Sequence, residues 1–205
     1  MVPMTIAFDI DTVLADFRES FKHYAAMMGK DPETVNIGWE PPTQQPDGTW
    51  QMGPRTGDPD VWMAIIERGD FWRKMVSAVP SSTWERIRDL EAIDDVRLYF
   101  VTNRVGRNAK QQTEQWLMFR GLRRATVIVS PLKGEACRVV GADFHIDDKA
   151  GNAVHVSYHS RSTLSYILDL PKNQFDPNVL GSKVIRVPSV DAFLDDVIAV
   201  VIARR

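Results

Sequence analysis

Short apolar runs of this sequence each lead to polar residues that could bind a metal and a phosphate group. These residues are Asp9 and Asp11 after the run 6–8, Thr102 after the run 96–101, Lys133 after the run 126–130, and Asp147 and Asp148 after the run 143–146. Mg²⁺ prefers hard oxygen ligands and commonly binds through a few carboxylates. Asp9, Asp11 and one of the two later aspartates would therefore suffice to hold Mg²⁺ beside a phosphate.

The apolar runs are predicted to be the strands that position these side chains. Helical periods lie between the runs, at residues 82–90, 108–120, 134–140 and 191–203. Strands that alternate with helices of about 10–15 residues predict βαβ units and a parallel sheet. Because the carboxyl ends of such strands open onto one crevice, the polar residues are expected to converge there. Two further strands are predicted at residues 154–156 and 183–187.

Residues 16–80 interrupt this alternation. The segment is far longer than the roughly 2–6 residues of an ordinary connection between a strand and a helix. We therefore expect a core formed by residues 1–15 and 81–205, with residues 16–80 as an inserted helical cap.

Two parts of the insert have distinct patterns. A helix is predicted over residues 61–68, with Asp58 or Asp60 near its amino end. Residues 38–59 contain five prolines and four glycines, which predicts an irregular loop that packs through Trp39 and Trp50.

Composition excludes several classes of protein. The chain has 205 residues, 44% of them hydrophobic, and a formal net charge of −2, values typical of a soluble globular protein. This charge gives no electrostatic case for a nucleic-acid polymer or an anionic membrane. A single cysteine, Cys137, excludes an intrachain disulfide, and its apolar neighbours predict a small buried side chain. We expect a cytoplasmic monomer or homodimer that acts on small molecules.

The order of these motifs resembles the haloacid dehalogenase (HAD) superfamily. Its first motif matches Asp9-Ile10-Asp11-Thr12-Val13, and its second, a strand that ends in Thr or Ser, matches the run to Thr102. The lysine of the third motif matches Lys133, and the acidic pair of the fourth matches Asp147-Asp148. The resemblance implies an α/β fold with a Rossmann-like three-layer α/β/α core, a parallel sheet and a small helical cap after the first strand.

The resemblance also implies a role for each matched residue. Asp9 would be the nucleophile that forms an aspartyl-phosphate, and Asp11 would be the general acid and base. Thr102 would hold the phosphoryl oxygens, and Lys133 would neutralise the transferring group. The metal ligands would be Asp9, Asp11 and Asp148, with Asp147 and Asn152 as the residues that orient them.

Two positions bear on activity within the superfamily. Asp11 favours a Mg²⁺-dependent phosphatase, because the dehalogenases of the superfamily lack this second aspartate. The residue after it is usually glycine in such phosphatases, and here it is Thr12. A positive φ at Thr12 would strain its β-branched side chain, so either the turn differs or activity is reduced. A catalytically silent binding module is the alternative from a different class.

A closer resemblance is to the 5′(3′)-deoxyribonucleotidase family, through residues 8–17, Phe71-Trp72, Val101-Thr102 and 146–148. It implies a nucleoside 5′-monophosphate as substrate; another small phosphorylated metabolite is the alternative. The predicted substrate contacts are Phe17, Trp62, Phe71, Trp72, Asn103 and Arg104. For Trp62, Phe71 and Trp72, packing in the interior is an equally good interpretation. Phe17 matches an aromatic residue that contacts the base in that family, and the resemblance implies the same contact here.

One apparent metal motif is discounted. His155 and His159 are four residues apart, but alternation around them predicts an extended segment. At about 3.3 Å per residue the two side chains would stand roughly 13 Å apart, too far for a shared zinc ion.

Overall fold

A computed structural model describes residues 3–38, 40–53, 55–171 and 183–204. The strands are β1 (Met4–Phe8), β2 (Ala15–Asp16), β3 (Thr43–Gln44), β4 (Trp50–Gln51), β5 (Val76–Ser77), β6 (Val96–Thr102), β7 (Thr126–Val129), β8 (Phe144–Asp147), β9 (Leu164–Leu168) and β10 (Val184–Val187). The helices are α1 (Phe17–Met27), α2 (Pro59–Arg68), α3 (Ser81–Glu91), α4 (Ala109–Phe119), α5 (Lys133–Val140), α6 (Ala150–His159) and α7 (Val190–Ala203).

Six strands form a parallel sheet in the order β10-β9-β8-β1-β6-β7. Every residue of β1 is buried, as expected for a parallel strand covered on both faces. In the register, Ile6 lies opposite Leu98 of β6 and Phe144 of β8. The carboxyl end of β1 therefore lies between those of β6 and β8, and the predicted parallel sheet is confirmed.

Helices cover both faces of this sheet. Phe8 and Phe100 pack on one face in a large apolar cluster that also contains Trp116 of α4 and Phe193 of α7. On the other face, a smaller cluster joins β1 and β6 to α5 and α6; its members are Ala7, Val101, Ala136, Cys137, Ala142 and Val156. The result is the three-layer α/β/α arrangement expected from the sequence.

The segment 16–80 contains α1, the antiparallel pair β3 and β4, and α2. It begins and ends side by side, because β2 pairs with β5. Asp58 is the residue that caps α2, since its carboxylate accepts hydrogen bonds from the Asp60 and Val61 amides. The predicted loop 38–59 contains the unexpected β3 and β4, and Trp39 lies outside the described residues.

The structure corrects one predicted strand and adds another. Residues 154–156 belong to α6, because Ala153, Val156 and Ser157 are buried at helical spacing. Three residues of alternation fit either structure, and the buried face of α6 decides between them. β9 was not predicted, although its last four residues are buried. No helix within the described residues is long and apolar enough to cross a bilayer.

Candidate active site

Asp9 lies directly after the central strand β1 and is buried. Its Oδ1 atom accepts a hydrogen bond from the Ile10 amide at 2.7 Å and lies 2.7 Å from Lys133 Nζ. The same lysine nitrogen lies 2.8 Å from Asp147 Oδ2 at the end of β8. One ammonium thus bridges carboxylates from two neighbouring strand ends, 138 residues apart in the sequence.

The bridge is accompanied by opposite pKa shifts in its two carboxyl groups. Burial raises the pKa of Asp9 well above its usual value; Lys133 opposes this effect, while the negative charges of Asp147 and Asp148 add to it. Burial also acts to raise the pKa of Asp147, but Lys133 and His145 together hold it below the usual value. The pKa of Lys133 is raised by the two carboxylates despite its burial. Lys133 is therefore a persistent cation at this site.

Asp147 is held from several sides. Its Oδ1 atom accepts hydrogen bonds from the Lys149 amide at 2.8 Å and from Asn152 Nδ2 at 2.9 Å. His145 Nε2 lies 3.6 Å from Oδ2, and burial lowers the pKa of His145. Asp147 and Asn152, which the sequence pairs as orienting residues, are joined directly in the structure. His145 carries no such signal in the sequence, although it lies two positions earlier on the same strand.

Asp9, Asp147 and Asp148 are the residues here that fit a metal ion. One carboxylate oxygen from each lies within 4.8 Å of the other two, and all three side chains are buried. Together with Lys133 they carry a formal excess of two negative charges, which a divalent cation would neutralise. Of the three predicted ligands, Asp9 and Asp148 lie in this cluster, whereas the Asp11 carboxylate lies outside it.

The Asp11 carboxylate is directed to Arg104 and Thr102 instead. Arg104 Nη2 lies 2.8 Å from Asp11 Oδ1, and Arg104 Nε lies 3.2 Å from Oδ2. Thr102 Oγ1 donates to Oδ2 at 3.1 Å. The guanidinium also donates to Thr113 and lies over the ring of Trp72. Arg104 therefore contacts Asp11 and also lines the neighbouring cleft, and its contact with substrate stays a prediction.

The turn after Asp11 is strained. Thr12 has a φ of 72°, which makes it the one non-glycine residue with positive φ among the described residues. Its amide donates to the Ala15 carbonyl at 2.7 Å, which closes the turn that leads into β2. The structure thus does not show the different turn that was one alternative drawn from the sequence, and reduced activity stays a prediction. Thr12 adopts the conformation that glycine adopts without strain.

The aromatic side chains of residues 16–80 pack on one another. Trp62, Phe71 and Trp72 are each only 2% exposed. Phe17, which is half-buried, stacks on Trp62 and Trp72 at ring-centre distances of 5.7 and 6.2 Å. Trp62, Phe71 and Trp72 thus pack in the interior, and the substrate contact of the half-buried Phe17 stays a prediction.

A cleft of about 1090 Å³ opens beside the site. One wall is formed by the loop after β6, including Asn103 and Arg107, and the other by Trp50 of β4 and Ile66 of α2. Lys149, which follows Asp148, also lines it. Trp50 is half-buried and is the aromatic residue in this wall. The sequence predicts that Trp50 packs within an irregular loop, because the many prolines and glycines of residues 38–59 give no indication of the strands β3 and β4.

Cys137 lies away from this cleft, in the apolar cluster under α5. Burial raises the pKa of its thiol to about 12. The prediction of a small buried side chain is confirmed.

Comparison with known proteins establishes the fold. Neither the sequence model of any protein family nor any curated protein matches this chain. Among solved structures, a dehalogenase aligns with a TM-score of 0.56 and 11% identity, over 93% of this chain and 95% of its own. A haloacid dehalogenase-like hydrolase from Burkholderia xenovorans LB400 gives 0.52 and 12%, over 95% and 96%. A HAD-superfamily hydrolase from Geobacter sulfurreducens PCA gives 0.50 and 14%, over 94% and 98%. The chain therefore has the fold of the HAD-like hydrolases.

Proposed function

We propose that this chain is a Mg²⁺-dependent phosphomonoester hydrolase that acts through an aspartyl-phosphate on Asp9. The observation that carries the proposal is the 2.7 Å contact between Asp9 Oδ1 and Lys133 Nζ at the carboxyl edge of the sheet. The buried carboxylate of Asp9 lies beside the ammonium group of Lys133, which can also bind a phosphoryl oxygen. Asp11 two residues later supplies the acid and base that a phosphatase needs and a dehalogenase does not.

The reaction proceeds in two displacements. Asp9 Oδ2 attacks phosphorus, because Oδ1 is the atom that binds Lys133 and the Ile10 amide. The bond from phosphorus to the ester oxygen breaks. Asp11, which enters this step protonated and so released from its ion pair with Arg104, gives its proton to the departing alkoxide. Asp11 then takes a proton from water, and the hydroxide attacks phosphorus. This step releases inorganic phosphate and restores the Asp9 carboxylate.

The remaining residues orient the reacting groups. Thr102 and Arg104 fix the Asp11 carboxylate, and Lys133 holds Asp9 and a phosphoryl oxygen together. Asp9, Asp147 and Asp148 would hold Mg²⁺. When bound, the ion supplies positive charge that offsets repulsion between the carboxylates and the phosphate.

Nucleoside 5′-monophosphates are the substrate class that we propose. The cleft of about 1090 Å³ is large enough for a base and a sugar beyond the phosphate. Trp50 offers a ring for stacking against a base, and Lys149 and Arg107 place positive charge in the same cleft. Residues 16–80, which supply Trp50 and Ile66, would act as the cap in this arrangement.

Phosphate release tests the proposal. We expect Mg²⁺-dependent release from nucleoside 5′-monophosphates that falls by at least about 10³-fold in Asp9→Asn. A panel of ribonucleotides, deoxyribonucleotides, sugar phosphates and an aryl phosphate distinguishes the substrate classes. Activity that survives in Asp9→Asn, or no release from any member of the panel, would overturn the hydrolase assignment and favour a binding module.

Trp50→Ala tests the substrate class separately. If a base stacks on Trp50, the KM for nucleotides should rise about tenfold or more, whereas the KM for the aryl phosphate changes little and Trp50→Phe restores most of the loss. The control is Phe119→Ala, since Phe119 is an exposed aromatic residue at the end of α4. Equal effects of Trp50→Ala on all phosphates would exclude base stacking there.

A further inference from the structure

Helices α5 and α6 bring together two histidines and a glutamate outside the candidate active site. His155 and His159 lie one turn apart on α6, with ring centres separated by 4.3 Å. Glu135 of α5 faces them both: Oε2 lies 3.4 Å from His155 Nε2, and Oε1 lies 3.5 Å from His159 Nδ1. The sequence predicts an extended segment in which these histidines lie too far apart to share an ion. That prediction is wrong, because the segment is the helix α6.

Gly134 permits this close approach. A Cβ atom at this position would lie 2.7 Å from the His155 carbonyl oxygen and 2.9 Å from His159 Cβ. Any other residue would push α5 and α6 apart. Glycine therefore fixes the separation at which Glu135 reaches both imidazoles.

The distances within the cluster match the ligands of one metal ion. Zinc binds histidine nitrogen and carboxylate oxygen at about 2.0–2.2 Å, so two ligand atoms of a tetrahedral site lie about 3.4 Å apart. The carboxylate-to-imidazole distances of 3.4 and 3.5 Å are close to this value, and each ends on a different oxygen of Glu135, Oε2 for His155 and Oε1 for His159. The three ligand atoms lie within 4.8 Å of one another, and the side chains are partly exposed. Solvent can therefore supply a fourth ligand.

Glu135 also has an unsatisfied acceptor. Its Oε2 atom is shielded from solvent and accepts no hydrogen bond from any residue that the structure describes. Such an atom is costly unless a cation or donor reaches it. Coordination through His155 Nε2 requires its ring proton on Nδ1 and so breaks the hydrogen bond from the Gly134 amide. That bond is long, at 3.3 Å.

We propose that Glu135, His155 and His159 bind one late first-row transition-metal ion, with Zn²⁺ the best match. Two imidazoles and one carboxylate favour such an ion over Mg²⁺, which prefers oxygen ligands alone. The ion would join α5, which begins with the active-site residue Lys133, to α6, which begins just after Asp148. The function of the ion would be to fix the relative position of these helices. Metal binding at this site does not depend on the proposed hydrolase activity.

Calorimetric titration with ZnCl₂ tests this site. The full chain is titrated in excess MgCl₂, so that the carboxylate cluster is occupied. We expect one equivalent of Zn²⁺ to bind and to raise the Tm, and His159→Ala to weaken binding by at least about tenfold. Glu135→Gln should have the same effect. The matched control is His23→Ala, which removes an exposed histidine paired with a glutamate, Glu19, on α1.

Two results would overturn the proposal: no zinc binding at micromolar concentrations, or equal affinity in wild type, His159→Ala and Glu135→Gln. Circular dichroism and urea denaturation show whether each variant is folded. Because the readout is zinc affinity, failure of this site and failure of the hydrolase assignment give different results.

Discussion

Arg104 forms an ion pair with Asp11 from a side chain that is fully buried, whereas the side chain of Asp11 is 25% exposed. The pair joins the loop after β6 to the turn after β1. Its burial is asymmetric, so the two partners are not equivalent: loss of Asp11 would leave a cation in the interior. Removal of one partner from such a pair is far more costly than removal of both.

We therefore expect Asp11→Asn to lower the free energy of unfolding by about 3 kcal/mol, as well as to impair phosphate release. Asp9→Asn should do the opposite to stability. Its pKa is raised in the folded state, so ionised Asp9 disfavours folding at neutral pH, and Lys133 keeps Asp147 as a partner. Urea denaturation at pH 7 compares the variants. Equal destabilisation by Asp11→Asn and Asp9→Asn would contradict the asymmetric burial of the pair formed by Arg104 and Asp11.

Thr12→Gly should raise the free energy of unfolding by about 1 kcal/mol. The φ of 72° costs a β-branched residue more than glycine loses in chain entropy. The matched control is Gly29→Ala, since Gly29 has a φ of 78° and open space where a Cβ would lie. It should destabilise the protein by a similar amount. Thermal unfolding measures both, and a loss of stability in Thr12→Gly would show that its side chain has a compensating contact.

Mg²⁺ should raise the Tm of the wild-type protein, and chelation by EDTA should reverse the increase. At one hundred times Kd, binding adds about 2.7 kcal/mol to the free energy of unfolding. Asp148→Asn should remove most of this gain because it withdraws one of the clustered carboxylates. Asp94→Asn is the control, since the Asp94 side chain is fully exposed. An unchanged response in Asp148→Asn would place the ion elsewhere.

The stabilisation that Asp58 provides as the cap of α2 should depend on pH. Burial acts to raise the pKa of Asp58, but hydrogen bonds from Lys30 and from two backbone amides hold it below the usual value. Its contribution is therefore present above the unfolded pKa of about 3.9 and lost as the pH falls through the lower folded value. Asp58→Ala should cost about 1 kcal/mol at pH 7 and much less at pH 3.

Asp60→Ala is the control for that comparison, because Asp60 shares Lys30 but is 78% exposed and does not cap α2. Urea denaturation at the two pH values supplies the measurement. If Asp58→Ala and Asp60→Ala give the same cost at both pH values, the cap does not titrate as described.

The sequence predicted which residues meet but not all of their partners. Asp9 follows β1, and Thr102 and Asp147 are the last residues of β6 and β8; a parallel sheet brings such strand ends to one edge. The pairing of Arg104 with Asp11 depends on which way a long side chain turns, and strand periodicity carries no information about that. Likewise, the helix predicted over residues 61–68 contains Trp62 and Ile66, and the sequence does not say which of the two lines the cleft.

The error at residues 154–156 had a larger effect than its length suggests. Three alternating residues fit a strand or a helix, and only burial on α6 separates the two. The same assignment determined whether His155 and His159 were distant or adjacent. A functional hypothesis based on spacing is therefore only as sound as the secondary structure assumed for it.

The pairing of β2 with β5 makes the segment between them an exchangeable module. Ala15 lies opposite Ser77, so the ends of the insert stand one strand spacing apart, about 4.8 Å. A turn of a few residues spans that distance, and so does a chain of sixty. Selection could thus lengthen, shorten or replace this segment, the proposed cap, without altering the spacing of Asp9, Lys133 and Asp147. Chemistry and specificity would then change independently within one polypeptide.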